Sequence, residues 1–316
     1  MKLETDVLSA CWFLAGPTAC GKSAVACELA DMLGAEILSL DSMALYRGMD
    51  IGTAKPDAGA RARVPHHLVD ILDPHEEYSL ADYVRAAARA AGDVARRGRV
   101  PLFVGGTGLY LRGVLRGVFQ GPPADPALRR ALEETAAAEG NAAVHARLAS
   151  IDPALAARLV PGDLRRVIRG IEVYEQTKTP LSAQQTHGPL PETERPRVLW
   201  LHPPRGWLHD RINSRVEDMF RAGLVAEVEG LLARDRPLGN TARQALGYRE
   251  VIDGLAAQVP LTETITLIQA RTRQFAKRQH TWFRNLAECR AVEMTGAETP
   301  RELAERVLEA GLRLET

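Results

Sequence analysis

Three short, mainly apolar runs punctuate the first 105 residues, and each stops at a chemically distinctive residue. "CWFLAG" (11–16), "AEILSL" (35–40) and "VPLFV" (100–104) have the unbroken apolar texture of strands buried on both faces. Between and after them, apolar positions recur at helical spacing in "KSAVACELADML" (22–33), across 79–97 and across 107–115. Alternating strand and helix patterns predict a parallel sheet flanked by helices, with ligands at the carboxyl ends of its strands. Those ends fall at Gly16, Asp41 and Gly105.

After "GVFQGPPADP" (117–126) the texture becomes alanine-rich, charged and helical, and no strand-like run returns before "RVLWL" (197–201). Residues 123–184 therefore read as an all-helical insertion domain between two parts of a core, 1–122 and 185–316. The polar, proline-rich stretch "THGPLPETERP" (186–196) brings the chain back. From 207 onward the pattern is helical, interrupted at "DRPLGNTA" and "AAQVPL", with one long helix near 262–284.

The first strand leads into "GPTACGKS", a match to G-x-x-x-x-G-K-[ST] set between a strand and a helix, which is the context that motif requires. The fold class is thus α/β, a P-loop NTPase-like parallel sheet flanked by helices. Gly16, Pro17, Thr18, Ala19, Cys20, Gly21, Lys22 and Ser23 are the diphosphate- or nucleotide-binding candidates. The glycines let backbone N–H groups curl toward an anion at a helix N-terminus, Lys22 adds a point charge, and Ser23 can ligate Mg²⁺.

Composition narrows the partners. The 316 residues carry forty basic and forty acidic side chains, so any polyanion site must be local. Two basic clusters stand out. "LRRVIRG" holds Arg165, Arg166 and Arg169, and "ARTRQFAKRQHTWFRN" (270–285) holds Arg271, Arg273, Lys277, Arg278 and Arg284 without an acid, interleaved with Phe275, Trp282 and Phe283. Each is a solvated helix face or, with the other, an electrostatic track for a folded RNA whose unstacked bases favour aromatic neighbours. Cys11, Cys20, Cys27 and Cys289 show no C-x-x-C pairing, which argues against a zinc site or disulfide framework. With no signal peptide and no apolar stretch near twenty residues, a cytoplasmic protein without membrane contact is expected.

Other features leave alternatives open. Asp41, at a strand tip beside the phosphate loop, suits a Mg²⁺ ligand, a general base toward a nucleophile, or a helix cap. "VGGTGLYLRG" (104–113) is a poor dinucleotide fingerprint, because Leu111 stands where the third glycine belongs. It reads as a tight turn or a close approach with Thr107 at its mouth. The adjacent histidines of "VPHHLVD" point to opposite faces of an extended chain and are poor joint metal ligands.

Taken in order, "GPTACGKS", "LDSMALYRGMDIGTAKP", "VPHHLVDILDP", "YSLADY", "VGGTGLYLRGVL", "RRVIRGIEVY", "LHDRINSRVEDMFRAGLVAEVEGL", "TARQALGYRE" and "RQFAKRQHTWFR" resemble the successive motifs of the bacterial tRNA dimethylallyltransferases, over residues 11 to 285. The resemblance implies transfer of a dimethylallyl group from dimethylallyl diphosphate to N6 of adenosine 37, in tRNAs reading codons that begin with U. It implies Asp41, Thr107 and Arg215 as catalytic residues, Mg²⁺ as cofactor, and a monomer that binds the anticodon stem-loop. RNA contacts are implied at Asp41, Ser42, Met43, Ala44, Thr107, Arg129, Leu164, Arg165, Arg166, Val167 and Ile168. The basic clusters add Arg169, Lys277 and Arg278. Ala44 departs from the glutamine common in relatives, and Cys20 from a serine. The chief rival is a small-molecule or nucleotide kinase using the same loop for ATP, which leaves both basic clusters without a purpose. A third class is an RNA-binding switch gated by a nucleotide.

Overall fold

A computed structural model describes residues 2–185 and 188–314. The apolar runs become strands of one sheet: β1 (Trp12–Ala15), β2 (Ala35–Ser39), β3 (His66–His67), β4 (Val100–Gly105), β5 (Arg197–His202) and β6 (Cys289–Glu293). Their order is β3-β2-β4-β1-β5-β6, and every pairing is parallel. The helices are α1 (Thr5–Ala10), α2 (Lys22–Leu33), α3 (Ala58–Arg63), α4 (Leu80–Arg96), α5 (Gly108–Arg116), α6 (Pro126–Glu139), α7 (Asn141–Ile151), α8 (Pro153–Ala156), α9 (Leu164–Thr177), α10 (Leu181–Gln184), α11 (Arg205–Arg221), α12 (Leu224–Leu232), α13 (Asn240–Arg243), α14 (Tyr248–Ala256), α15 (Leu261–Asn285) and α16 (Pro300–Leu312). No helix among the described residues is long and apolar enough to cross a membrane.

Register decides where the loops emerge. Ala15 at the end of β1 lies opposite Gly105 at the end of β4, and Ser39 at the end of β2 lies opposite Val104. Three neighbouring strands therefore release the chain on one edge, and the outer two are about 10 Å apart, two strand spacings. Leu14, Leu102, Leu199 and Leu201 fill the sheet between α2 and its neighbours, and Phe13 stacks on Phe103 at 4.9 Å. Each such side chain stabilises the fold by roughly 1.5–3 kcal/mol on burial.

Two strands differ from the expectation drawn from the pattern. His66–His67 joins the edge of the sheet through β2, with His66 Nδ1 2.7 Å from Val64 O and His67 Nε2 2.7 Å from Glu36 Oε2. Residues 289–293 pair with β5, so the chain is not helical throughout after 207. As an edge strand, β6 buries only Val292, and its charged residues hide the alternation.

The described chain divides into two compact units, Val118–Gly188 and a larger one comprising residues 2–117 with the chain from Pro189. The smaller unit contains α6 to α10. Val167, Ile168 and Ile171 line the buried face of α9 and meet Leu132, Val144 and Leu148. Its centre also holds a fully buried carboxylate, Glu172. Glu172 accepts from Arg129 Nε and Nη2 at 2.8 and 2.9 Å, from Arg169 Nη1 at 2.5 Å, and from the Asp125 N–H at 2.7 Å. Thr186 and His187, which open the proline-rich return stretch, lie outside the described residues. The four cysteines are free, and burial pushes the Cys11 and Cys289 thiols up to about 12.

Candidate active site

The phosphate loop runs from the end of β1 into α2. Gly21 caps α2 with a φ of 89°, in the left-handed region that a side chain rarely adopts. Lys22 opens the helix and its Nζ donates to Pro17 O at 2.8 Å, so the ammonium lies folded across the loop. Ser23 follows in the first helical turn and is exposed. The loop is held from outside as well: Arg211 Nε on α11 donates to Ala19 O at 3.3 Å.

Asp41 follows β2 and closes a tight turn. Its Oδ1 accepts the Met43 N–H at 2.8 Å and the Ala44 N–H at 3.3 Å. This leaves Oδ2 without a hydrogen-bond partner among the described residues, on a side chain that is only half-buried. The second oxygen is an acceptor with a fixed direction. The strand beneath it is anchored by Tyr83 of α4, whose hydroxyl donates to Ser39 O at 2.7 Å and whose ring stacks on Tyr110 at 3.8 Å.

Thr107, at the start of α5, meets this turn directly. Thr107 Oγ1 accepts the Ser42 N–H at 3.2 Å, and the Thr107 N–H donates to Leu40 O at 3.1 Å. The glycines before it explain why the two turns come so close. A Cβ on Gly105 would lie 2.3 Å from Leu40 O, and one on Gly106 would lie 2.2 Å from Gln279 Nε2. The "VGGTG" stretch is thus a close approach between chains.

Arg215 of α11 is partly buried and has no hydrogen-bond or ion-pair partner among the described residues. Burial pushes its guanidinium below the ordinary value, and the neighbouring Asp41 and Cys20 oppose that push; it remains a cation. Arg215 also lines a cleft of about 630 Å³ with Asp50, Lys55, Arg61, Asp70 and Asp218. There Lys55 is held by Asp50 at 2.7 Å and Asp70 at 2.6 Å, and Arg61 by Asp70 at 2.7 Å. Of the three cations in that wall, Arg215 alone has no hydrogen-bond or ion-pair partner among the described residues.

The RNA-binding candidates separate by exposure. Lys277 and Arg278 on α15 are exposed, with Arg278 over the Phe275 ring at 5.7 Å. Arg271 instead binds Glu250 at 2.5 Å and Arg273 binds Asn213 Oδ1 at 2.5 Å. Trp282 is exposed, whereas Phe283 is core. In the helical unit, Arg165 and Arg166 are exposed, and Arg166 pairs with Asp163. Val167 and Ile168 are buried, and Arg129 and Arg169 hold Glu172. Ala44 is buried too. Two residues escaped the sequence reading, Arg211 and Gln279; both stand inside quoted motifs, but only their long-range partners reveal them.

A family model described as IPP transferase matches residues 44–286. The tRNA dimethylallyltransferase of Rhodopirellula baltica is 46% identical over 288 residues, covering 88% of this chain and 86% of that protein. The crystal structure of the full-length tRNA isopentenylpyrophosphate transferase from Bacillus halodurans superposes with a TM-score of 0.71 at 38% identity, over 97% of each chain. A eukaryotic dimethylallyltransferase, described as acting on tRNA, gives a TM-score of 0.76 at 26% identity over 90% of this chain and 74% of the other.

Proposed function

This chain belongs to the IPP transferase family, and from that premise we propose that it transfers a dimethylallyl group from dimethylallyl diphosphate to N6 of adenosine 37 of tRNA, releasing diphosphate. Adenine N6 is a weak nucleophile because its lone pair is delocalised into the ring. Catalysis must therefore act mainly on the allylic carbon, by steadying the diphosphate as negative charge gathers on its oxygens. The loop amides from Gly16 to Ser23, the Lys22 ammonium and the Arg215 guanidinium do this. Mg²⁺ suits the donor set: the exposed Ser23 hydroxyl fits a hard cation whose remaining ligands are phosphate and water oxygens. When bound, the ion neutralises part of the leaving group's charge.

Asp41 and Thr107 handle the acceptor. Asp41 Oδ2 accepts a hydrogen bond from N6 and takes its proton as the new C–N bond forms. Thr107 Oγ1 already accepts from Ser42, which leaves its O–H available to donate to a bound ligand. The strand spacing of about 10 Å between the loop and Asp41 leaves room for the diphosphate and the allylic carbon to lie between them. The adenine must leave the anticodon-loop stack to arrive there, at a cost of a few kcal/mol. Lys277, Arg278, Arg165 and Arg166 supply phosphate contacts that set tRNA affinity. Leu164, Val167, Ile168, Arg129 and Arg169 shape the helix that carries two of those cations, and the backbone of Ser42, Met43 and Ala44 frames the flipped base. The proposal includes a monomer acting in the cytoplasm, where tRNA and the isoprenoid diphosphate are both available.

One observation carries the reading: an Asp41 oxygen without a hydrogen-bond partner among the described residues, in the turn that Ser42 ties to Thr107, two strands from a glycine-lysine loop. The test is incubation with unmodified tRNA, Mg²⁺ and labelled dimethylallyl diphosphate, without ATP. Label on adenosine supports it; phosphate transfer that needs ATP, with no prenyl transfer, favours the kinase and ends it.

A further inference from the structure

Gln279 lies on α15, buried to 5% exposure, and it touches both halves of the site. Its Oε1 accepts the Thr18 N–H of the phosphate loop at 2.8 Å, and its Nε2 donates to Gly106 O at 2.9 Å. The amide orientation is unambiguous, because a backbone N–H can only donate and a carbonyl can only accept. Gly106 O belongs to the peptide unit next to Thr107, whose Oγ1 in turn holds Ser42, one residue from Asp41. A single side chain thus begins a continuous series of hydrogen bonds from the donor loop through Gly106 and Thr107 to the Asp41 turn. The glycine at 106 leaves the room this requires, since any Cβ there would meet Nε2.

We infer that Gln279 is a positioning residue for the transfer reaction, setting the distance and angle between the diphosphate loop and the turn that presents Asp41. Both polar ends of its side chain are engaged by backbone, so its effect falls on how the two ligands are aligned and not on how tightly either binds. Misplacing reacting groups by about 1 Å costs on the order of 100-fold in rate. The inference rests on the transferase reading above.

The test compares wild type with Gln279→Ala and Gln279→Glu in steady-state transfer, together with equilibrium binding of tRNA and of inorganic pyrophosphate. For Gln279→Ala, kcat is expected to fall about 10- to 100-fold, with donor KM and tRNA Kd within about threefold of wild type. In Gln279→Glu the carboxylate accepts from Thr18 but cannot donate to Gly106 O until it is protonated. Burial raises that carboxyl's pKa, so kcat relative to wild type rises as pH is lowered from about 8 to about 6. Variants with wild-type kcat, or a loss that lies wholly in donor KM, overturn the assignment. If the alanine variant does not fold, the glutamate variant decides alone: a pH profile parallel to wild type overturns it. A wild-type protein that transfers nothing fails the transferase reading itself, an outcome distinct from an active wild type with unaffected variants.

Discussion

The Ser42 N–H donates to Thr107 Oγ1 at 3.2 Å, which joins the turn after β2 to the turn after β4. Thr107 begins α5 without using its side chain to cap that helix. Its oxygen is engaged across the sheet edge, which fixes the turn that carries Asp41.

Asp41→Asn is expected to keep the turn, because an amide oxygen can still accept from Met43 and Ala44, while the amide nitrogen replaces the acceptor at Oδ2. Loss of a proton acceptor of this kind costs about 10²- to 10⁴-fold. Single-turnover transfer should fall by that factor with tRNA affinity within a few-fold of wild type; undiminished transfer removes Asp41 from the chemistry.

For Lys22→Ala the loss lies in stabilising the leaving group, roughly 10²- to 10³-fold in kcat for one such charge. Arg215→Ala should resemble it, since the proposal has both cations serve the same diphosphate, and the double variant should lose less than the product of the two. Rates measured across the four proteins of that cycle check this; simple multiplication of the losses means the two act on different groups.

Glu172 governs the helical unit. Burial pushes its carboxyl up, but hydrogen bonds from Arg129, Arg169 and the Asp125 N–H more than offset this and hold it down at about 2, against an ordinary 4.5. A carboxyl lowered in the folded state stabilises the fold above its unfolded value. That contribution is lost as pH falls from about 4.5 toward 2. Glu172→Ala leaves two arginines facing an empty centre and should destabilise by about 3–5 kcal/mol. Urea unfolding between pH 7 and pH 3 checks both: a Glu172→Gln variant should show less acid loss than wild type, and an equal loss contradicts the assignment.

Gly105→Ala puts a methyl 2.3 Å from Leu40 O, against backbone that cannot rotate away. Destabilisation of about 1–3 kcal/mol is expected, together with weaker transfer, since the Thr107 turn shifts with it. Thermal unfolding and a transfer assay on the same sample read both effects.

How much of this was legible in the chain depended on whether a feature was local. β1, β2, β4 and β5 were visible because strands buried on both faces leave unbroken apolar runs, and the loop because its residues act through their own backbone. β3 and β6 were not. One is two half-buried histidines and the other an edge strand with charges on its open side, so neither carries the signal of burial. Asp41 stood out as a carboxylate at a strand tip, yet the freedom of one oxygen depends on where the Met43 and Ala44 amides fall. Gln279 passes unremarked inside the basic cluster because its partners, Thr18 and Gly106, are 261 and 173 residues away. The same distance effect separates the arginines: Arg129 and Arg169 look like Arg165 in sequence, and only the fold shows a buried carboxylate between them.

The central claim, that the loop holds the leaving diphosphate while Asp41 receives the attacking amine, is tested most directly by a crystal structure with an anticodon stem-loop and an unreactive thio-analogue of dimethylallyl diphosphate. The account requires the diphosphate against Gly16–Ser23 and adenine N6 within about 3 Å of Asp41 Oδ2. A diphosphate bound away from that loop, or an N6 that meets no oxygen of Asp41, contradicts it.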